Sequence, residues 1–167
     1  IRANSLEDAK ITAYHIGFVL GPCINASGRL DTAARSLALL NAKTKEEAAR
    51  LAGDLTALNQ SRKALTEKGK EEAIRIIETT ELKNDRVLVV YLPDCHESLV
   101  GIIAGRIREK YHRPAFVLTG GETSAKGSGR SIESYSMYEE LVKCADLMIQ
   151  FGGHPMAAGL SIEEKNI

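Results

Sequence analysis

Three glycine-rich segments of the sequence carry side chains that could bind a phosphate group: residues 21–30, 126–131 and 151–159. In the first segment, Asn25 and Arg29 stand just before the start of a predicted helix. Free backbone N–H groups and the helix dipole favour an anion at such a place. A structural turn that ends in a solvent-exposed arginine explains the same composition, and composition alone favours this simpler interpretation.

The second segment combines hydroxyl groups with a guanidinium group. Ser128, Arg130 and Ser131 could all donate hydrogen bonds to phosphate oxygens, and arginine does so as a bidentate fork. Gly127 and Gly129 would let a ligand approach the backbone closely. The spacing fits neither a Walker loop nor a GxGxxG fingerprint. Glycines that only shape a strand or a hairpin are the alternative explanation.

Two histidines stand at positions where ligands are often bound. Gly152 and Gly153 precede His154, so its imidazole could donate a hydrogen bond to a phosphate. A lone histidine more often caps a turn or fills a core, although the two glycines favour a functional role. His96 lies where a predicted strand gives way to a helix, which is the ligand-binding edge of many open α/β sheets. A helix-capping role for His96 is equally compatible with the sequence.

Charged residues elsewhere give weaker signals. Arg106, Arg108, Lys110 and Arg113 surround a single acidic residue, Glu109, which indicates either a DNA-facing patch or, by default, a solvated helix face. No set of aspartates and histidines has the spacing of metal ligands. A two-metal phosphodiesterase needs several such groups around ions about 4 Å apart. The sequence therefore predicts no metal site within this chain.

The composition excludes several classes of protein. The 167 residues include 22 basic and 22 acidic side chains, and 44% are hydrophobic, which is typical of a globular domain and not of a disordered chain. No apolar run approaches the roughly 18 residues of a membrane-spanning helix. The three cysteines lie far apart without a CxxC pair, so we expect a cytoplasmic location. With zero net charge, any binding of nucleic acid must come from local patches.

Hydrophobic periodicity predicts the elements that must position these groups. A glycine-rich loop at 21–30 leads into a first helix, and a capping box at Thr44 and Glu47 opens a long charged helix. A continuous apolar run at 86–92 predicts a strand that is buried on both faces. A helix with Leu99 on its apolar side follows that strand.

The remaining elements complete the predicted domain. Further strands are expected at 114–119, 125–132 and 160–162. A second capping box, formed by Ser136 and Glu139, opens a helix that is expected to end at residues 151–153. The expected fold class is α/β, with a small mixed β-sheet domain flanked by helices and preceded by a long connector helix.

Four segments, in their order along the chain, resemble the RecJ family of single-strand-specific exonucleases in the DHH phosphoesterase superfamily: 21–30, 96–106, 127–131 and 152–159. Each motif is moderately specific, and the set of four in this order covers essentially the whole chain. The resemblance implies three parts: the C-terminal tail of a DHH catalytic domain (1–41), a connector helix (42–82) and the DHH-associated substrate-binding domain (83–167). It also implies that Mn²⁺ or Mg²⁺ is bound by motifs of a preceding catalytic region. We therefore expect this chain to be a fragment that is inactive alone.

The resemblance also implies roles for individual residues. The residues expected to contact phosphates are Asn25, Arg29, His96, Arg106, Ser128, Gly129, Arg130, Ser131, Gly152 and Gly153. His154 is expected to play an accessory catalytic role, facing the scissile phosphate. Cys23 stands where many family members have arginine and is not counted as a site residue. Tyr135 and Tyr138 are candidate platforms for base stacking.

The expected function follows from this resemblance. The intact protein would be a metal-dependent exodeoxyribonuclease that degrades single-stranded DNA from its 5′ end in DNA repair and recombination. This chain would supply the clamp that holds the phosphates of the strand, with no membrane partner. Two alternatives stay open, namely an oligonucleotide or cyclic-dinucleotide phosphodiesterase of the same superfamily and a non-catalytic nucleic-acid-binding module. The long helix and the motif at 21–29 favour the exonuclease.

Overall fold

A computed structural model describes all residues of the chain, 1–167. The chain forms two compact units, residues 1–65 and residues 66–167. The boundary between the units falls inside one long helix, α3 (Lys45–Thr79). Nowhere does the chain form a helix with both the length and the apolar character needed to cross a membrane.

The first unit contains only helical elements. A π-helical segment, His15–Leu20, continues directly into α1 (Gly21–Leu30), and α2 (Ala34–Asn41) follows. The first part of α3 completes the unit. Helical segments are the only regular structure before the boundary, so the unit has no sheet.

Helix α3 begins with two hydrogen bonds between side chains and backbone N–H groups. Thr44 Oγ1 accepts a hydrogen bond from Glu47 N at 3.1 Å, and the Glu47 carboxylate accepts one from Lys43 N at 3.1 Å. The two bonds satisfy N–H groups that would have no partner at the start of a helix. Of the predicted capping box, the bond to Thr44 is present, whereas the Glu47 carboxylate binds the N–H of Lys43, one residue before the expected position.

The predicted loop at residues 21–30 is wrong, because these residues form α1. A Gly-Pro pair suggests a turn, but Pro22 is accommodated in the first turn of α1, directly after the π-helical segment. The buried residues of α1 are Cys23, Ala26 and Ser27. Asn25 and Arg29 therefore project from the exposed surface of a helix and not from a loop before a helix N-terminus.

Polar contacts hold α1 inside the first unit. Ser27 Oγ and Ser36 Oγ of α2 lie 2.7 Å apart, and Ser36 Oγ also donates to the carbonyl oxygen of Ile24 at 2.8 Å. Cys23 Sγ accepts a hydrogen bond from Asn59 Nδ2 of α3 at 3.4 Å. Cys23 is buried, so a small thiol occupies the place where the family resemblance leads one to expect an arginine.

The second unit is built on a five-stranded sheet with strand order β1-β2-β3-β5-β4. Its elements are β1 (Leu88–Tyr91), α4 (Glu97–Tyr111), β2 (Ala115–Thr119), β3 (Ala125–Arg130), α5 (Met137–Lys143), β4 (Met148–His154) and β5 (Ala157–Ile162). Strands β1 and β2 are parallel, and all other neighbours are antiparallel. The predicted α/β fold, with a small mixed sheet and a long helix before it, is confirmed.

Helices cover both faces of this sheet. On one face, Phe116 of β2 packs with Met137 and Leu141 of α5. On the opposite face, α4 lies against β2 and β3. The C-terminal part of α3 lies behind α4, since a β-carbon on Gly69 would be 2.6 Å from Ile103 Cδ1. The missing side chain at Gly69 thus lets the two helices approach closely.

The prediction that residues 86–92 form a strand buried on both faces is wrong in one respect. A strand is present, but β1 lies at the edge of the sheet. Leu88 and Val90 are fully buried, whereas Val89 between them is 40% exposed. The apolar run therefore has one buried face, and its other face is only partly covered.

The predicted end of the last helix is also wrong. Helix α5 ends at Lys143, and residues 148–154 form β4 instead of a helix end. Glycines disfavour strands, but the pairing of β4 with β5 outweighs that local preference. Ser136 makes no cap hydrogen bond and its buried Oγ has no partner, so the second predicted capping box is absent.

Tyr111 links α4 to α3 and is expected to make the stability of the chain depend on pH. Its hydroxyl donates to Glu78 Oε1 at 2.6 Å, and burial, followed by this hydrogen bond, raises its pKa to about 12 from the usual 10.0. The folded state therefore retains a proton that the unfolded state loses, and the free energy of unfolding should fall as pH rises between about 10 and 12. Urea unfolding across this range measures the slope. In Tyr111→Phe the slope should become shallower, and an unchanged slope would contradict the assignment.

Candidate nucleic-acid interface

Helix α4 leaves part of its own face of the sheet uncovered, on strands β3, β5 and β4. Directly paired residues, and residues two apart on a strand, point to the same face of a sheet. The register therefore forms three rows on this face: Lys126–Ser161–Gln150, Ser128–Gly159–Gly152 and Arg130–Ala157–His154. Of the residues predicted as sites, Ser128, Arg130, Gly152 and His154 thus share one surface.

A groove of about 560 Å³ lies between these rows and the beginning of α4. Ser128, Gly152 and Gly159 contribute to its floor, and Glu97 and Ser98 of α4 contribute to its wall. The glycines keep the floor low, since a β-carbon on Gly152 would meet no other atom within 4 Å. A ligand in this groove can therefore lie directly on the backbone of the sheet.

Arg130 is held beside this groove by its own strand and by the shape of α4. Its Nη1 donates to Ser128 Oγ at 2.9 Å and to the carbonyl oxygen of Gly129 at 2.8 Å. A β-carbon on Gly101 of α4 would lie 2.7 Å from Arg130 Nη2 and 3.0 Å from Ser128 Oγ. Gly101 therefore leaves the space in which the guanidinium and the hydroxyl meet, which brings a fixed positive charge and a hydroxyl together.

Gly129 and Gly153 face away from the groove, although the sequence places them among the phosphate-binding residues. A β-carbon on Gly129 would lie 2.7 Å from Phe116 Cδ1, and one on Gly153 would lie 2.6 Å from Ala158 Cα. Gly129 is thus required by packing on the other face of the sheet, whereas Gly153 is required by the close approach of the backbone of β5. The alternative explanation, that a glycine only shapes a strand, accounts for these two positions.

Ser131 also lies outside the shared surface. It is 1% exposed, and its hydroxyl donates to the carbonyl oxygen of Tyr135 at 2.6 Å. Its backbone N–H donates to Met156 O at 2.9 Å, in the turn between β4 and β5. Ser131 therefore holds the turn in place and has no hydroxyl available at the surface.

His154 stands at the end of β4, next to this turn. Its Nδ1 accepts a hydrogen bond from Met156 N at 3.3 Å, so the ring is oriented by the turn. The carbonyl oxygen of Pro155 accepts a hydrogen bond from Met137 N at 3.0 Å, which anchors the same turn to α5. The exposed imidazole thus sits on a braced turn, in the same row as Arg130.

His96 caps α4. Its Nδ1 lies 3.3 Å from Ser98 N, which donates to it, and 2.9 Å from Ser98 Oγ. The helix-capping role, one of the two interpretations that the sequence left open, is therefore present. The ring is exposed and adjoins Glu97 and Ser98, which line the groove, so His96 stands at its rim.

Of the remaining predicted residues, Arg106 belongs to the second unit, and Asn25 and Arg29 belong to the first. Arg106 lies further along α4, where its Nη1 is 3.0 Å from the Glu109 carboxylate, and it does not line the groove. Asn25 and Arg29 lie on the exposed side of α1 in the first unit. They are four residues apart, so they share one face of that helix.

The two tyrosines proposed as stacking platforms do not line the groove either. Tyr135 packs against the apolar cluster under α5, and burial raises its pKa. Tyr138 is partly exposed, with its ring 6.2 Å from the ring of Phe151. Phe151 is the only aromatic residue of the groove lining, but it alternates with Gln150 and Gly152, and its ring packs on the α5 face of the sheet. The groove therefore offers no Phe, Tyr or Trp ring for base stacking.

The structure adds three residues that sequence reasoning did not assign to the site: Gly101, Glu97 and Lys126. Gly101 and Gly105 are four residues apart in a helix, and this spacing of small residues is a signal of close packing that was available in the sequence. The salt bridge between Glu97 and Lys126 joins residues that are far apart in sequence, so no local sequence pattern predicts it. These residues complete the surroundings of Ser128 and Arg130.

No three side chains of the types His, Cys, Asp or Glu come together in the structure where they could hold a metal ion. The residues of this chain therefore do not fit a divalent metal. The groove offers hydrogen-bond donors on a glycine floor, and Arg130 beside it adds positive charge, which together suit an anion such as a phosphate diester.

Comparison with known proteins agrees with this geometry. The DHHA1 domain model matches residues 84–167. The single-stranded-DNA-specific exonuclease RecJ of Escherichia coli (strain K12) is 43% identical over 93% of this chain, and the match covers 28% of that protein. This chain thus spans less than a third of that curated relative's length.

Two solved structures resemble this chain over nearly all of its length. RecJ from Thermus thermophilus in complex with Mg²⁺ is 33% identical, with a TM-score of 0.84, and the match covers 96% of this chain and 25% of that one. An exonuclease RecJ bound to manganese is 30% identical, with a TM-score of 0.80, over 98% of this chain and 40% of that one. The chain therefore belongs to the DHHA1 domain family and, within it, to the RecJ proteins.

Proposed function

We propose that residues 66–167 form the clamp that holds the phosphates of single-stranded DNA in a RecJ-type exonuclease. The observation that carries the proposal is the pairing of Arg130 with Ser128 on the uncovered face of the sheet, beside a groove with a glycine floor. A guanidinium group and a hydroxyl group are both suited to bind phosphate oxygens. The relatives named above supply the substrate class, since their names describe single-stranded-DNA-specific exonucleases.

Contacts of this kind bind a strand without reading its sequence. Phosphate contacts position a nucleic acid, whereas contacts to base edges give specificity. Because no Phe, Tyr or Trp ring faces the groove, the affinity should come chiefly from phosphates and should fall steeply with salt. His154, in the same row as Arg130, would assist at the phosphate that Arg130 holds.

The division of labour within the intact protein is part of the same proposal. Residues 1–41 would be the tail of the catalytic domain, 42–82 the connector helix and 83–167 the associated domain. Mn²⁺ or Mg²⁺ would be bound by residues outside this chain, as no cluster here fits a metal. The intact protein would degrade DNA from its 5′ end in repair and recombination in the cytoplasm, and the chain alone would be inactive. The named relatives favour neither a cyclic-dinucleotide phosphodiesterase nor a non-catalytic binding module.

Replacing Arg130 with alanine tests the clamp. We expect the affinity of the chain for a labelled single-stranded oligonucleotide to fall about tenfold or more, because a hydrogen bond to a charged group contributes roughly 1.5–3 kcal/mol. Fluorescence anisotropy at two salt concentrations measures the affinity, with a duplex and a short RNA as competitors. The slope of the logarithm of affinity against the logarithm of salt concentration should also decrease in magnitude by the amount expected for about one phosphate contact.

The matched control is Arg75→Ala. Arg75 lies on α3, pairs with Glu72 at 2.6 Å and does not line the groove, so its loss removes the same charge elsewhere. We expect Arg75→Ala to bind almost as the unchanged chain does. Equal losses in the two variants would mean that overall charge and not the groove binds the strand, and the clamp proposal would then be wrong.

A further inference from the structure

Two charged residues line the groove, and they are bonded to each other. Lys126 Nζ of β3 lies 2.6 Å from Glu97 Oε2 in the first turn of α4. All other residues around the groove are uncharged. The only positive charge among the lining residues is therefore neutralised by the only negative one.

The pair is accessible to solvent and electrically coupled. The side chains of Lys126 and Glu97 are 53% and 56% exposed. The hydrogen bond between them raises the pKa of Lys126 and lowers that of Glu97, so both stay charged over the neutral range. Exposed ion pairs contribute little to the stability of a fold. Lys126 can therefore leave Glu97 and pair with a different anion without disturbing the sheet.

We propose that Glu97 acts as an internal counterion that competes with DNA phosphate for Lys126. This inference rests on the clamp function proposed above. In the free protein, the Glu97 carboxylate occupies the position beside Lys126 that a phosphate oxygen takes when a strand enters. Binding then exchanges one anion for another, and Lys126 becomes a phosphate contact in addition to Arg130.

Two consequences follow from this exchange. Glu97 lowers the affinity for the strand, because it must release Lys126 before a phosphate can take its place. A single phosphate gains little from displacing Glu97, whereas a strand that also reaches Arg130 gains a second contact. The pair therefore favours a strand over an isolated phosphate and keeps the bound strand easy to release.

Charge-removing variants of each partner test the exchange. We expect Glu97→Gln to bind a labelled single-stranded oligonucleotide about fivefold more tightly, because Lys126 no longer gives up its attraction to a unit charge about 4 Å away in a water-like dielectric. Lys126→Gln should bind more weakly, with a salt dependence reduced by about one contact. The double variant should bind like Lys126→Gln alone, since Glu97 acts through Lys126. The urea midpoints of all variants should match that of the unchanged chain.

The control is the pair on α3, where Arg75 lies 2.6 Å from Glu72 outside the groove. Glu72→Gln removes the same negative charge, so an equal gain in affinity would show a general charge effect and overturn the inference. A double variant that keeps the gain of Glu97→Gln would also overturn it.

The outcomes separate this inference from the clamp function. If Arg130→Ala loses affinity while the Glu97 and Lys126 variants bind like the unchanged chain, the clamp stands and the exchange is wrong. If neither the unchanged chain nor Glu97→Gln binds single-stranded DNA at low salt, both proposals fail together.

Discussion

Replacing Gly101 with alanine is expected to weaken the binding of single-stranded DNA about tenfold while leaving the fold intact. The new β-carbon would lie 2.7 Å from Arg130 Nη2 and 3.0 Å from Ser128 Oγ, so the guanidinium must leave its place beside the groove. The expected loss corresponds to one charge-assisted hydrogen bond. Alanine is a better helix former than glycine by roughly 1 kcal/mol, so α4 itself should not be weakened. Anisotropy measures the affinity, and urea unfolding measures the stability.

Gly53→Ala is the matched control for this variant. Gly53 lies inside α3, and its added β-carbon would meet nothing within 4 Å. It should give the same gain in helix propensity without a change in binding. In an Arg130→Ala background, Gly101→Ala should cause no further loss. A Gly101→Ala chain that binds like the unchanged one would show that the position of Arg130 does not matter for the strand.

Replacing Gly129 with valine is expected to lower the free energy of unfolding by about 2 kcal/mol. Even its β-carbon would lie 2.7 Å from Phe116 Cδ1 and would also overlap with Met137 Sδ. Overpacking of a filled core costs roughly 1–3 kcal/mol, which outweighs the preference of valine for strands. Urea unfolding monitored by circular dichroism measures the change.

Gly152→Val separates this steric effect from the general effect of valine in a strand. Gly152 also lies in a strand, but its β-carbon would meet no atom within 4 Å. Its free energy of unfolding should stay the same or rise. If Gly152→Val is destabilised as much as Gly129→Val, the packing of Gly129 against Phe116 is not the reason for its glycine.

The strand containing Ser128 and Arg130 shows how far sequence reasoning reaches. The period of two in a strand predicts that Ser128 and Arg130 point to one side and Gly129 to the other. From the predicted strand at 125–132, alternation alone therefore places Gly129 on the side opposite to Ser128 and Arg130. Which of the two faces lies open depends on where α4 packs, and that is a long-range property of the fold.

Other errors came from local signals that packing outweighs. Pro22 suggests a turn, yet proline is equally favourable in the first turn of a helix. The glycines of β4 disfavour a strand by local preference, and the strand forms because it pairs with β5. The contact between Glu97 and Lys126 joins α4 to β3, so it could be found only once both elements were placed.

The three rows of the uncovered face also limit how this surface can change over generations. Rows two residues apart are spaced about 6.7 Å along a strand, and neighbouring strands about 4.8 Å apart, whatever side chains they carry. Substitutions can therefore retune the chemistry of each position while its coordinates stay fixed. The loss or gain of one residue within β3 acts differently, because it turns every following side chain to the opposite side. Ser128 and Arg130 would then enter the core and the glycines would enter the groove. On this surface, a change of residue type therefore disturbs the fold less than a change in the length of β3.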